Sequence, residues 1–201
     1  MRPTCPLRAL AALLVLSAAG SAPAHAQWLL GLELGSDRFW GGSRETTAAH
    51  RSFRPYRPTT VGLALTRAGS RWGLGLQLRY TSAGLALEGS DALVAAKGIF
   101  DVYGAAPELR YRLTGIASNE LAVQGGPLVE LWSVRGEESQ TRLGIWAAVS
   151  LRVPLGGRFA GSASAGAALT GSPFTSDQLE PGFERRALWR RRLAGRLEYR
   201  L

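Results

Sequence analysis

The feature that most constrains this chain is a strict alternation of apolar and polar residues, which recurs through most of the sequence after residue 26. Between Trp72 and Tyr80, for example, large apolar residues take every second position, and Gly73, Gln77 and Arg79 are among those between them. Successive side chains of a β-strand point to opposite faces. A period of two therefore predicts strands with one apolar and one polar face.

Eight segments of the chain carry this alternation. They lie at about 28–34, 59–66, 72–80, 99–113, 121–131, 143–153, 159–169 and 189–201. Long loops are expected at about 36–58, 81–98 and 170–187, and a medium one near 135–137, with short turns near 68–70, 114–119 and 154–157. Alternating long and short connections are typical of an up-and-down barrel in which one rim faces the periplasm. The pattern predicts an all-β, eight-stranded antiparallel up-and-down transmembrane β-barrel.

The second long loop carries the signals for one short helix. Ser90-Asp91 can cap the N-terminus of a helix over residues 92–97, and Gly98 can end it.

The first residues predict an export signal. An arginine-containing start precedes an apolar run at 7–19, which is too short to span a bilayer as a helix, and Ala24-x-Ala26 matches a signal peptidase site. We expect a cleaved signal peptide at 1–26 and a single barrel domain at 27–201. Cys5, the only cysteine, would leave with the signal peptide, so disulfides and cysteine chemistry are not expected in the mature chain.

The net charge of +9 comes almost entirely from arginine, because Lys97 is the only lysine. These arginines alternate with apolar residues inside predicted strands and do not form a single patch. Together with the export signal, this distribution argues against nucleic acid as a partner.

Aromatic residues near the ends of the apolar face indicate that this face contacts lipid. Trp72 and Tyr80, or Trp189 and Tyr199, would be separated by roughly 20–25 Å along a tilted barrel, close to the ~25 Å between aromatic girdles. A lipocalin-like soluble barrel would have the opposite phase, with its apolar face inside. The expected girdle comprises Trp28, Trp72, Tyr80, Tyr111, Trp189 and Tyr199.

The opposite face carries small residues together with charges of both signs. This predicts a salt-bridged interior, since a buried charge without a partner is costly; a narrow anion-favouring pathway is the alternative, because arginine is in excess. Closure must pair the first strand with the last, which brings Glu33 near Arg192, Arg196 or Arg200. The predicted ladder comprises Glu33, Arg79, Glu108, Arg110, Arg112, Glu130, Arg152, Arg192, Arg196, Glu198 and Arg200.

The end of the chain resembles the C-terminal signal of bacterial outer-membrane barrels. Apolar residues alternate from Leu193, Tyr199 stands third from the end, and Leu201 occupies the place where that class usually has phenylalanine. As a whole, the mature chain is similar to the small eight-stranded group that includes OmpA, OmpX and OmpW. The resemblance implies a monomeric barrel in the outer membrane, inserted by the barrel-assembly machinery, with both mature termini in the periplasm.

Candidates for catalysis and metal binding are few. His50-Arg51-Ser52 resembles the His-x-Ser of barrel lipid A deacylases, in which the motif lies on a late strand and not in the first loop. Barrel palmitoyltransferases combine a first-loop histidine with an Asp-Ser pair in the second loop, and here that pair is reversed as Ser90-Asp91. The acidic positions Glu137-Glu138 and Asp177/Glu180 are expected to be solvated loop charges. We therefore expect no catalytic site, metal site or cofactor.

Arginines in the predicted long loops would lie at the outer rim. There they could contact the phosphates of lipopolysaccharide, because a guanidinium binds phosphate in a bidentate manner. They are Arg38, Arg44, Arg51, Arg54, Arg57, Arg185 and Arg186. The expected function is a non-enzymatic barrel with a structural or surface-interaction role in contact with outer-membrane lipid and lipopolysaccharide; a solute pore and a lipid A-modifying enzyme are the alternatives.

Overall fold

Each of the eight alternating segments forms a β-strand. The structure is a computed structural model that describes residues 27–45, 52–88, 93–116, 118–134, 138–175, 177, 179 and 181–201. The predicted signal peptide, at 1–26, lies outside these residues. The strands are β1 (Gln27–Glu45), β2 (Ser52–Ala68), β3 (Trp72–Glu88), β4 (Leu93–Ile116), β5 (Asn119–Val134), β6 (Gln140–Gly156), β7 (Phe159–Thr170) and β8 (Phe183–Arg200).

The strands form one closed antiparallel barrel in chain order. β1 pairs with β2 on one side and with β8 on the other, so that Leu32 lies opposite both Leu63 and Leu197. Closure leaves no edge strand, because each of the eight strands has a neighbour on both sides. The predicted fold is confirmed. Among the described residues, no helix is long and apolar enough to cross a membrane.

The two ends of the barrel differ in their connections. The end at which Gln27 and Leu201 lie also holds the short turns after β2, β4 and β6, and we call it the terminal end. Here the Leu201 amide donates a hydrogen bond to the Trp28 carbonyl at 3.0 Å. The opposite end holds the connections after β1, β3, β5 and β7, of which the last, 171–182, is the longest; we call it the loop end.

Two of the predicted long loops are mostly strand. β1 continues to Glu45 and β2 begins at Ser52, so the loop predicted at 36–58 shrinks to 46–51. Gly41 and Gly42 adopt positive φ angles of 86° and 97°, and the β1–β8 register shifts beside them. These glycines form a β-bulge, and the β1–β8 ladder continues beyond it. Glycine suits this position because it adopts positive φ angles readily.

The prolines of β2 are accommodated in a similar way. The β2–β3 register shifts between Tyr56 and Thr59, an interval that contains Pro58. Among the described residues, the β1–β2 ladder ends at the pair of Ser36 and Thr59. Residues 52–56 of β2 are therefore paired with β3 and not with β1. Proline is tolerated in strands at such bulges and edges.

The prediction of a short helix over residues 92–97 is wrong. β4 begins at Leu93, and residues 93–96 pair with residues 85–88 of β3. A ladder gives nearly every backbone group a partner, whereas an isolated helix of this length gains few hydrogen bonds for its nucleation cost. Gly98, with φ +63°, lies at a register shift within β4 and does not terminate a helix. The third long loop is likewise shorter than predicted, at 171–182.

The outside of the barrel is apolar over most of its height. Leu32, Leu76 and Leu193 are 56%, 43% and 68% exposed, and leucines and valines of the other strands share this outward face. The inward face carries the buried polar residues. Such an arrangement is what a lipid solvent requires, because apolar side chains must face the acyl chains.

Candidate functional site

The barrel interior is built from layers of ion pairs, and Glu33 lies in the middle layer. Arg196 donates two hydrogen bonds to Glu33 Oε2, from Nε at 3.1 Å and from Nη2 at 2.8 Å. Arg192 Nη2 donates to the other carboxylate oxygen, and Arg79 Nε lies 4.0 Å from it. The pairing expected from closure of β1 on β8 is therefore present.

The same layer extends to Glu108 on the far side of the barrel. Glu108 accepts a hydrogen bond from the Gln77 amide, and Arg79 donates to the Gln77 carbonyl oxygen. Arg196 Nη2 lies 3.7 Å from Glu108, and the Arg79 guanidinium stacks 4.6 Å from the Trp146 ring. The middle of the bore thus holds one polar network on one side and, packed against it through Trp146, an apolar cluster with Ala106, Leu128 and Ala168.

A second layer lies toward the terminal end around Glu198. Glu198 accepts from Arg152 Nε at 2.6 Å and lies 3.9 Å from Arg110 Nη1. Arg110 Nη2 is 3.1 Å from Glu120, and Arg112 Nε is 3.9 Å from the same carboxylate.

A third layer lies toward the loop end. Arg190 Nη2 is 2.7 Å from Glu130, and both side chains are almost fully buried. Asp37 accepts a hydrogen bond from Thr60 at 2.7 Å and lies 3.8 Å from Arg192. Arg190 and Asp37 are absent from the predicted ladder. Arg190 shares the inward face with Arg192, which could have revealed it, whereas Asp37 lay beyond the predicted end of the first strand.

Two residues of the predicted ladder, Arg200 and Arg112, lie at the rim of the terminal end and not inside the bore. Arg200 is exposed at the end of β8 and joins none of the three layers, which corrects its placement in the ladder. Its position, opposite Leu29 beside the chain end, is at the open rim of the barrel, where a guanidinium can stay hydrated. The Arg112 side chain is 41% exposed at the same rim and only approaches Glu120.

The loop end of the bore contains an aromatic cluster that sequence reasoning missed. Trp132 lies at its centre, with ring centroids 6.0 Å from Phe39 and 5.8 Å from Phe100, and Phe174 packs 6.0 Å from Phe100. Ala83, Val102 and Leu188 complete what we call the aromatic cap. Trp132 Nε1 donates to Glu130 at 3.1 Å, which joins the cap to the layer below. The available signal was that Phe100 and Trp132 share the phase of the inward residues of their strands, whereas Phe39 lay beyond the predicted end of the first strand.

The predicted girdle residues form two groups on the outside. Trp28, Trp72, Tyr111 and Tyr199 lie at the terminal end, where Trp72 packs 4.6 Å from Tyr111. Tyr80 and Trp189 lie toward the loop end. Tyr80 packs 5.2 Å from Tyr103, and its hydroxyl donates to Asp101 at 2.6 Å.

Two exposed arginines flank a tryptophan on the outward face near the loop end. Arg38 lies opposite Arg191, and the neighbouring pair is Trp40 opposite Trp189. Their guanidinium carbons lie 5.5 Å and 4.9 Å from the Trp40 ring, within range of a cation–π interaction. Arg38, predicted in a loop, is part of β1, and Arg191 was not among the arginines predicted to contact lipopolysaccharide.

The remaining loop candidates are only partly described. Arg185 and Arg186 are exposed in β8, and Glu138 and Asp177 are exposed as well. Within the described residues, no group of three or more His, Cys, Asp or Glu could hold a metal ion. Outside the described residues or side chains lie His50, Arg51, Ser90-Asp91, Glu137, Glu180, and the side chains of Arg44, Arg54 and Arg57.

Comparison with known proteins identifies the fold and nothing finer. No family model and no curated protein matches the chain. Among solved structures, Neisserial surface protein A is 9% identical with a TM-score of 0.54, covering 87% of this chain and 97% of its own. The outer-membrane protein OprG from Pseudomonas aeruginosa is 13% identical with a TM-score of 0.50, covering 88% and 96%. The outer-membrane protein AlkL is 13% identical with a TM-score of 0.51, covering 91% and 94%. The chain therefore has the fold of the small eight-stranded outer-membrane barrels.

Proposed function

We propose that this protein is a non-enzymatic, monomeric barrel of the bacterial outer membrane with a structural or surface-interaction role. The observation that carries the proposal is the content of the bore, which holds three ion-paired layers below an aromatic cap. A barrel filled in this way is suited to occupy the membrane and present its loop end, and it is poorly suited to pass solutes.

The ion pairs support this reading because several of them cross the bore. Arg196 to Glu108 and Arg110 to Glu198 both join β8 with β4, which lie halfway round the ring from each other. Side chains that meet from opposite walls occupy the central axis. Opening a path would move these charged groups apart inside the bore, which is unfavourable because a buried charge needs its countercharge close by.

The orientation we propose places the terminal end in the periplasm and the loop end outside the cell. Short turns at one rim and longer connections at the other support it, since outer-membrane barrels keep their short turns on the periplasmic side. Insertion by the barrel-assembly machinery follows from the resemblance of the last strand to that class. Protease added to intact cells should cut the connection at 171–182 and spare the turn at 157–158; the reverse result would invert the orientation.

Conductance in planar bilayers tests the closed bore directly. We expect the wild-type barrel to give no steady single-channel current. As a positive control, Phe39→Ala combined with Trp132→Ala should remove much of the aromatic cap and raise the frequency of transient openings. A steady, anion-selective current from the wild type would favour the alternative, a narrow pore in which arginine excess draws anions.

The surface interaction we propose is with lipopolysaccharide. Arg38 and Arg191 face outward beside Trp40, and no carboxylate of the described residues lies within 4 Å of either guanidinium. Phosphates of lipopolysaccharide would supply the missing countercharge, and arginine binds phosphate well.

Binding of purified lipopolysaccharide to the barrel in detergent tests this interaction. The double variant Arg38→Gln/Arg191→Gln should bind about tenfold more weakly, as expected for the loss of charge-assisted hydrogen bonds. Arg158→Gln combined with Arg200→Gln removes two exposed arginines at the terminal end; it is the matched control and should bind normally. Equal losses in both would mean that net charge alone governs binding.

Enzymatic modification of lipid A remains the other alternative, because of His50. Acyl-chain analysis of lipid A from cells that carry the wild type, His50→Ala or no protein separates it from our proposal. We expect three identical lipid A profiles.

A further inference from the structure

A cavity of about 240 Å³ opens at the terminal end of the bore, below the Glu198 layer. Gln27, the β2–β3 turn and inward residues of β3 to β6 line it. Its polar lining includes Arg71, Arg110, Arg112, Glu120 and Arg152. Four guanidinium groups thus surround one carboxylate in a space large enough for a small molecule.

The cavity is the place where the charge balance of the layers fails. In the middle and loop-end layers taken together, four arginines face four carboxylates: Arg79, Arg190, Arg192 and Arg196 with Glu33, Asp37, Glu108 and Glu130. In the terminal layer, Arg110, Arg112 and Arg152 face only Glu120 and Glu198. One positive charge of this layer is therefore unmatched, and Arg71 at the rim adds another.

Arg110 supplies the second observation. Its side chain is only 5% exposed, yet its Nε finds no hydrogen-bond acceptor among the described residues. Arg112 Nε also lacks an acceptor among the described residues, although the Arg112 side chain as a whole is 41% exposed. A buried N–H without an acceptor is costly, so these donors favour an acceptor from outside the chain.

We propose that this cavity binds a small oxyanion or carboxylate. The planar fork of a guanidinium matches the two oxygens of phosphate or carboxylate, and two or more arginines around one space can hold such a group from different sides. The surplus positive charge provides the attraction.

The test is isothermal titration calorimetry, in which inorganic phosphate is added to the full mature barrel in detergent at constant ionic strength. Acetate forms a second arm, and chloride at matched ionic strength is the reference. We expect saturable binding of phosphate, acetate or both, and the arm that saturates identifies the oxyanion or the carboxylate. Heats that equal those of the chloride reference, with no saturation in either arm, would overturn the proposal.

Variants at the rim locate the site while leaving the more buried Arg110 and Arg152 in place. Arg71→Gln combined with Arg112→Gln should weaken the saturating anion about tenfold, because each removes a charge-assisted contact. Arg158→Gln, in the neighbouring turn but outside the cavity lining, should leave affinity unchanged. If the control loses as much affinity as the double variant, the anion is held by general surface charge and the proposed site is wrong. Circular dichroism checks that each variant is folded.

Discussion

The two ends of the bore follow the same alternation and hold different chemistry. At the terminal end, inward positions carry arginine and glutamate around an open cavity. At the loop end, inward positions of the same strands carry Phe39, Phe100 and Trp132, which are at most 2% exposed. Strand phase therefore decides which residues face the interior, whereas the identity of those residues decides whether that end is polar and open or apolar and packed.

The largest effect should come from the aromatic cap. Trp132→Ala removes a side chain that is fully buried between Phe39 and Phe100, and we expect it to destabilise the barrel by roughly 3–5 kcal/mol. Trp72→Ala, on the lipid-facing surface at the terminal end, should cost clearly less, because 56% of that residue is exposed. Urea unfolding followed by circular dichroism compares them, and equal losses would show that the cap contributes no special packing.

The second prediction compares buried carboxylates at the two ends. Glu130→Gln removes the carboxylate that lies 2.7 Å from buried Arg190 beneath the cap, and we expect a loss of about 3–5 kcal/mol. Glu198→Gln should cost less, because the Arg152 side chain is 18% exposed and can regain water near the cavity. The same unfolding measurement tests both. A greater loss for Glu198→Gln would mean that the terminal layer is as dry as the loop-end layer.

The third prediction concerns the apolar outward surface between the two groups of girdle residues, which we call the belt. Leu76 lies midway between Trp72 and Tyr80 on the outward face, so Leu76→Arg should cost roughly 2–4 kcal/mol. Ser36→Arg, outward at the loop-end side of the belt next to Arg38, should cost about 0–1 kcal/mol. Unfolding in lipid vesicles measures the difference, and a similar cost at both positions would contradict a lipid-facing exterior.

Closure of the barrel and the pairing of Glu33 were predictable from the sequence. Period two assigns Glu33 to the inward face, and an eight-stranded barrel must pair its first and last strands, which leaves few partners other than Arg192 and Arg196. These conclusions depend on one local rule and one topological rule. Neither requires knowledge of side-chain packing.

The loop end was predicted less well for a physical reason. Gly41, Pro55 and Gly98 are turn signals in isolation, yet neighbouring strands supply ladders that turn each region into a bulge or an irregular strand. Because β1 was expected to end near residue 35, Phe39 and Asp37 could not be assigned to the interior. The aromatic cap depends on contacts among β1, β4, β5 and the connection 171–182, which no single segment encodes.

The smallest effect is expected on the outward surface toward the loop end, where Tyr80 and Tyr103 lie. Tyr80 and Tyr103 stack with centroids 5.2 Å apart, but only Tyr80 has a described hydroxyl partner, Asp101. Tyr80→Phe removes that hydrogen bond and keeps the ring, so it should cost about 0.5–1 kcal/mol. Tyr103→Phe keeps the stacking and loses no described bond, and its cost should be near zero. Unfolding in lipid vesicles, where the interface is intact, provides the measurement. If both variants lose the same stability, the hydroxyls act through interfacial hydration, and the Tyr80–Asp101 bond contributes nothing of its own to the loop end.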